Sequence, residues 1–126
     1  MFPCAPLINE NDLIKAKLKF DKTDKKYPMM SFVEYDAPIQ WAFQKKKNYF
    51  IPNQKNKLLI DSKKLVKSFY ESATFVIFKS DLIFKKKTYD KYYGYLLSKT
   101  KGIDIDEKID WQIAEYFYKR NKLNKY

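Results

Sequence analysis

The short apolar segment at residues 73–78, ATFVIF, constrains the fold more than any other part of the chain. Its residues are apolar on both alternating faces apart from Thr74, whereas a strand with one face in solvent alternates polar and apolar residues. The segment is short for a helix and rich in β-branched and aromatic residues, which favour a strand. It is therefore predicted to be a central strand that is covered on both faces.

The residues before this strand predict a hairpin followed by a helix. Residues 49–51 and 58–60 are apolar and flank a turn rich in Pro, Asn and Lys, which is typical of a hairpin. Asp61 or Ser62 is a suitable N-cap for the helix. The helix would carry an apolar stripe made of Leu65, Val66, Phe69 and Tyr70. A strand–strand–helix–strand unit is thus expected over residues 48–79.

Two strands are predicted near the N-terminus. Residues 13–20, LIKAKLKF, alternate apolar residues with lysines and predict a half-buried strand. Two interpretations of its lysine-rich face are open: a sheet edge protected by charge, or a surface that follows a phosphate backbone. Residues 29–35 predict the second strand.

Residues 36–47, DAPIQWAFQKKK, fit either a helix or a strand. In the helix, Asp36 is the N-cap, Pro38 lies early enough to be tolerated, and the final lysines suit the helix dipole. In the strand, alternate residues share a face, namely Ile39, Trp41 and Phe43. The helix is preferred. The resulting order of helix, hairpin and helix is found in winged helix-turn-helix modules and equally in small RNA-binding proteins, so it assigns no family.

Two further helices are predicted in the C-terminal third. The first is indicated by a stripe at helical spacing, made of Tyr89, Tyr92, Tyr93, Leu96 and Leu97. Gly94 inside this helix suggests a close contact, and Gly102 is a stop signal. The second helix would begin after Asp104 or Asp106. Its predicted face consists of Ile109, Ile113, Tyr116 and Phe117. The two helices are expected to form a helical hairpin through Gly102.

These elements predict one α+β domain over residues 1–126. It would contain a small mixed or antiparallel sheet of about four or five strands with three to four helices, including the C-terminal helical hairpin. The length of 126 residues is enough for a core, and 45% hydrophobic residues argue against disorder. No segment approaches the roughly 20 apolar residues that span a bilayer, and no secretory signal is recognisable. The single cysteine favours an intracellular location.

The residue types present argue against an enzyme. The chain has no histidine, one cysteine and no Gly-rich loop, so the usual nucleophile–base pairs and phosphate-binding loops are missing. Cys4 is expected to be a buried or partly buried thiol. The densest acidic cluster consists of Asp104, Asp106, Glu107 and Asp110. Carboxylates at a helix N-terminus are explained by capping and the helix dipole. No metal site or cofactor is therefore predicted.

The net charge of +11 favours an anionic partner, and nucleic acid is the preferred one. Arg120 is the sole arginine, so bidentate recognition of bases is scarce and sequence specificity should be modest. The alternative is that the lysines reflect an A+T-rich genome. The predicted nucleic-acid-binding residues are the lysine clusters with two aromatic neighbours: Lys45, Lys46, Lys47, Lys55, Lys57, Lys85, Lys86, Lys87, Trp41 and Tyr49.

A second functional hypothesis comes from the aromatic residues. They make up 18% of the chain, which exceeds what one small core buries, and Tyr and Trp are common in protein interfaces. The chain would then be a protein–protein interaction module. It would serve as a subunit of a larger assembly, or as an inhibitor or effector that docks on an acidic partner.

Overall fold

The computed structural model describes residues 1–82 and 88–123. Over these ranges the chain forms seven helices and strands: α1 (Glu10–Asp21), β1 (Met29–Glu34), β2 (Phe43–Lys46), β3 (Tyr49–Pro52), β4 (Phe69–Ile77), β5 (Tyr93–Leu96) and α2 (Lys108–Leu123). One sheet has the strand order β4-β1-β5, and β2 and β3 form a separate two-stranded sheet. The class is therefore α+β, but the prediction of one sheet with three to four helices is wrong.

The chain divides into two compact units. Unit 1 comprises residues 1–33 and 71–126, with both helices and most of the three-stranded sheet. Unit 2 comprises residues 34–70, including the two-stranded sheet. The ends of β1 and β4 extend into unit 2. Unit 2 is thus one continuous segment inserted between two strands of the same sheet.

α1 replaces the strand predicted at residues 13–20, which is wrong. The Asn9 side chain accepts a hydrogen bond from the Asp12 N–H, and the Asp12 carboxylate accepts one from the Asn9 N–H, each at 3.1 Å. This reciprocal capping box starts a helix in which Asp12, Ala16 and Phe20 are buried. Residues 13–20 fit a strand by their alternation with lysine, but Asp12, Ala16 and Phe20 also have the four-residue spacing of a helix. The capping box favours the helix. The strand predicted at residues 29–35 is confirmed as β1.

β5 occupies residues that the tyrosine stripe predicts as a helix. It pairs in parallel with β1, with Met29 opposite Tyr93 and Phe32 opposite Leu96. The Tyr95 ring packs against Phe75, with ring centroids 5.7 Å apart. Aromatic residues favour strands when a partner strand is available, and here that partner lies far away in the sequence. Residues 88–107 contain no helix, so the predicted C-terminal helical hairpin is wrong.

The core of unit 1 lies between α1 and the sheet. It consists of Ala16, Phe20, Met29, Val33, Phe75 and Leu97. A strand predicted at residues 73–78 is confirmed within β4, where Thr74 and Phe75 are both buried, but β4 lies at an edge of its sheet, so its predicted central position is wrong. These neighbours are buried together because Ala73 has a left-handed φ of 48°, which interrupts the alternation of the strand.

Hydroxyl groups satisfy the backbone beside Ala73. The Phe75 N–H donates to Ser31 Oγ at 3.2 Å, and Ser31 Oγ donates to the Phe75 carbonyl at 3.3 Å. Ser72 Oγ donates to Ser31 Oγ at 2.9 Å and lies 3.0 Å from Thr74 Oγ1. The hydroxyls of Ser31, Ser72 and Thr74 therefore all have partners, as buried polar groups require.

The close backbone approach predicted at Gly94 occurs instead at Gly102. A Cβ atom built on Gly94 would lie 3.5 Å from the Phe32 ring, an ordinary contact. A Cβ on Gly102 would lie only 2.3 Å from Val33 Cγ2 and 3.3 Å from Ser72 Cβ. Gly102 is thus required because its backbone packs directly on β1 and β4.

The C-terminal helix is confirmed as α2, although it is held differently than predicted. The Asp110 carboxylate accepts the N–H groups of Asp106 at 3.2 Å and Glu107 at 2.8 Å, which gives one member of the acidic cluster a capping role. Ala114 is the buried residue of the described part of α2. Of the predicted face, Ile109, Ile113 and Tyr116 are exposed and Phe117 is half-buried. No helix among the described residues has the length and apolar character to cross a membrane.

The N-terminal segment runs beside β4 and the residues before α2. The Phe2 N–H donates to the Thr74 carbonyl at 2.9 Å, and the Cys4 carbonyl accepts the Ile105 N–H at 3.2 Å. The Cys4 side chain is exposed, so the expectation of a buried or partly buried thiol is wrong. Within residues 1–82 and 88–123, no group of three or more acidic or cysteine side chains is placed to hold a metal ion.

Candidate nucleic-acid interface

The helix predicted over residues 36–47 is wrong, and the strand alternative describes this segment better. A single 3-10 turn at Ile39–Trp41 is followed by β2, which pairs antiparallel with β3. The register places Phe43 opposite Pro52 and Lys46 opposite Tyr49. The chain reverses at Lys47, whose φ of 52° suits a tight hairpin turn. We refer to residues 43–52 as the basic hairpin.

The hairpin partner and the helix predicted over residues 58–70 are also wrong. Residues 58–60 form no strand, and β3 pairs with β2 instead. Asp61 does cap, since its side chain accepts the Lys63 N–H at 2.9 Å, but the helix is a single 3-10 turn at Ser62–Lys64. The aromatic end of the predicted stripe, Phe69 with Tyr70, belongs to β4. Pairing within a strand stabilises these two aromatic residues more than an isolated turn of helix would, because short helices are only marginally stable on their own.

Each face of the basic hairpin combines a lysine with an aromatic ring. Residues directly opposite one another on paired strands share a face, and Lys45 lies opposite Phe50 while Lys46 lies opposite Tyr49. The Tyr49 side chain is 75% exposed and the Phe50 side chain 65% exposed. Phe43 lies on the same face as Lys45 and Phe50, because side chains two residues apart point the same way. Neither face is covered by other described parts of the chain.

The described part of the chain does not neutralise the charge of the hairpin. Unit 2 contains eight lysines and three carboxylates. Lys67 pairs with Glu34 at 2.8 Å, whereas none of the ion pairs found among the described residues involves Lys45, Lys46 or Lys47. Three adjacent exposed ammonium groups that have no counter-ion in residues 1–82 and 88–123 attract a polyanion.

Trp41 anchors unit 2 and is not free to stack on a base. Its indole Nε1 donates to the Lys57 carbonyl at 3.2 Å, and the side chain is half-buried. The Asn53 N–H donates to the Ala42 carbonyl at 2.9 Å, which extends the ladder of the hairpin. These bonds hold the 3-10 turn Lys55–Lys57 at the open end of the hairpin, where Lys55 is exposed and Lys57 half-buried.

The structure brings together some of the predicted binding residues and adds two. Lys45, Lys46, Lys47 and Tyr49 lie on the basic hairpin, with Lys55 and Lys57 on the neighbouring turn of the same unit. Lys85, Lys86 and Lys87 lie outside the described residues. Sequence reasoning missed Phe43 and Phe50, because it paired residues 49–51 with residues 58–60. The alternation of Phe43 with Lys45 was the signal that could have identified β2.

Comparison of the chain with protein-family models and with curated protein sequences finds no match. No residue role is therefore carried over from a relative. The geometry of the interface consists of exposed rings on a short hairpin and of lysines that form no ion pair with another described residue.

Proposed function

We propose that this chain is a non-enzymatic nucleic-acid-binding protein and that the basic hairpin contacts single-stranded or locally unpaired nucleic acid. The observation that supports the proposal is the cross-strand pairing of Lys45 with Phe50 and of Lys46 with Tyr49. Cβ atoms of such pairs lie roughly 5 Å apart. That separation lets a ring stack on a base while the neighbouring ammonium group reaches a phosphate of the same strand.

The expected strength follows from these two kinds of contact. Stacking of a base on an aromatic side chain contributes about 1–3 kcal/mol. For a single strand, the slope of log affinity against log salt concentration becomes steeper by about 0.7 for each phosphate that the protein neutralises. Lys45, Lys46 and Lys47 together would therefore contribute about 2 to this slope. Lysine recognises charge without a fixed geometry, so sequence specificity is modest.

Preference for unpaired strands distinguishes this proposal from a purely electrostatic one. In a duplex the flat faces of the bases are stacked inside, so Tyr49 and Phe50 would contribute little and only the lysines would act. On a single strand, the ring on the face that the strand contacts adds to the affinity. The basic hairpin is therefore expected to bind single strands more tightly than duplexes of equal charge.

The test is fluorescence anisotropy with labelled single-stranded DNA, single-stranded RNA and duplex DNA at two salt concentrations. The double variant Tyr49→Ala with Phe50→Ala should lose about 10-fold or more in affinity for single strands and little for duplex. The triple variant Lys45→Gln, Lys46→Gln and Lys47→Gln should lower the salt slope by about 2.

A matched control separates the position of the lysines from net charge. Lys15, Lys22 and Lys108 are exposed lysines of unit 1, and changing all three to Gln alters the net charge by the same amount. The control variant should retain most of the affinity. Equal losses in the two triple variants, or no binding at low salt, would refute the proposal. In the second case the exposed rings would favour the protein-interaction hypothesis, which pull-down experiments with the same ring variants can test.

A further inference from the structure

α2 carries an apolar stripe that no described part of the chain covers. Ile109, Ile113 and Tyr116 follow one another at helical spacing along one side, and they are 53%, 41% and 59% exposed. α2 is held on unit 1 by a different side, where Ala114 is 3% exposed. A stripe with this spacing is the kind of helix face that normally packs against another element.

The charges at the two ends of this stripe are opposite. Continuing the same spacing leads to Arg120 near the C-terminal end and to Asp106 just before the N-terminal end. Neighbouring residues reinforce these charges: Glu107 lies next to Asp106, and Lys119 and Lys122 lie on either side of Arg120 in the sequence. The stripe is therefore acidic at one end, apolar in the middle and basic at the other.

We propose that two copies of this chain associate through antiparallel α2 helices. A two-fold axis at Ile113 would place the two copies of Ile113 against each other and Ile109 of each copy beside Tyr116 of the other. The same axis brings Arg120 of each copy next to Asp106 of the other, so both ion pairs form at once. A parallel arrangement would place like charges together at each end.

A second copy fits this surface for a further electrostatic reason. The chain as a whole carries +11, so two copies repel one another over most of their surfaces. Residues 104–122 contain five carboxylates and four basic side chains, so α2 and its approach are close to neutral. Repulsion between copies is smallest where these segments meet.

The size of the contact limits its strength. A helix of 16 residues is about 24 Å long, and one side of it buries less than the roughly 800 Å² per partner of a standard interface. The dimer is therefore weak and depends on concentration, with a dissociation constant on the order of 100 µM.

The experiment is sedimentation velocity of the full chain, free of nucleic acid, from about 10 µM to about 1 mM. The unchanged chain should shift from monomer towards dimer over this range. Ile113→Lys should abolish the shift, and it should leave the circular dichroism spectrum unchanged because Ile113 is exposed.

Charge exchange tests the antiparallel arrangement itself. Arg120→Asp and Asp106→Arg should each weaken dimerisation at least 10-fold. The double variant carrying both changes should restore it, since each new pair is again of opposite charge. Lys22→Asp, which has the same charge change as Arg120→Asp but lies outside α2, is the control and should leave dimerisation intact.

Three results would overturn the proposal. A chain that remains monomeric at about 1 mM does not pair with a second copy through this stripe. A dimer that persists in Ile113→Lys uses another surface. A double charge variant that stays monomeric shows that Arg120 and Asp106 do not meet.

Discussion

Gly102 provides the sharpest test of the packing in unit 1. An alanine Cβ at this position would lie 2.3 Å from Val33 Cγ2, whereas carbon atoms in good contact are about 3.5–4.0 Å apart. One of the two groups must therefore move by more than about 1 Å. Ser72 Cβ at 3.3 Å blocks retreat on one side, and Val33 is fully buried, so neither group has free space.

The expected loss of stability combines two opposing terms. Overpacking of a buried site costs about 1–3 kcal/mol. Replacing glycine by alanine also restricts the unfolded chain and returns about 0.4–1 kcal/mol, since Gly102 does not have the positive φ that would strain alanine. Gly102→Ala should therefore lower the free energy of unfolding by about 1–2 kcal/mol.

A double-mutant cycle isolates the contact with Val33. Val33→Ala alone leaves a cavity and should cost about 1–3 kcal/mol. The added methyl of Gly102→Ala can occupy part of that space, because its remaining neighbours are 3.3 Å or more away. The double variant should be no less stable than Val33→Ala alone. Urea unfolding followed by far-ultraviolet circular dichroism reports on α1 and α2, which both belong to unit 1.

The geometry also supplies a control and a refutation. Gly94→Ala would place Cβ 3.5 Å and 3.8 Å from Phe32 ring atoms, so it should change stability by less than about 1 kcal/mol and in the stabilising direction. If the losses from Gly102→Ala and Val33→Ala simply add in the double variant, the two residues do not compete for space and the packing argument is wrong.

Two further predictions concern local features of unit 1. Ala73→Gly should raise the free energy of unfolding by up to about 1 kcal/mol in the same urea assay, because glycine adopts the φ of 48° without strain; a loss of stability would contradict the left-handed backbone. Asp24 accepts a hydrogen bond from the Tyr93 hydroxyl and a second one from the Lys26 N–H, and these two bonds, the first more than the second, lower its pKa. The Asp24 carboxylate therefore stabilises the fold above about pH 4, and this stabilisation is lost as the pH falls through the lowered pKa. In Tyr93→Phe the pKa of Asp24 should rise towards its ordinary value in a carbon-detected NMR titration, and an unchanged pKa would exclude the hydroxyl as its main cause.

The parts of the fold that sequence reasoning predicted correctly have signals within a short segment. The strands β4 and β1 have runs of β-forming residues, and the helix α2 has a long helical stripe. The errors arose where two patterns coincide. Residues 13–20 alternate as in a strand, yet the capping box at Asn9 and Asp12 starts a helix.

The remaining errors depend on contacts distant in sequence. Tyr93 and Leu96 have helical spacing, but their pairing with β1 stabilises a strand. The lysines of the basic hairpin could be listed from the sequence, whereas their cross-strand partners could not. Those partners depend on the register of β2 with β3, and a hairpin register follows from turn geometry that composition does not reveal. The exposure of Ile109 and Ile113 could not be predicted either, because a stripe at helical spacing does not show which element, if any, the helix packs on.

The hydrogen bond from the Tyr35 N–H to the Ser68 carbonyl, at 3.0 Å, affects which changes in length the gene can accept during evolution. It holds together the two ends of the segment between β1 and β4. Once such ends are joined, doubling the length of the loop between them costs only about 0.6 kcal/mol of closure entropy. Insertions, deletions and whole replacements between Tyr35 and Ser68 are therefore tolerated while β1 and β4 remain paired. The segment between Tyr35 and Ser68 is therefore a place where recombination can change the molecule at a small cost in closure entropy.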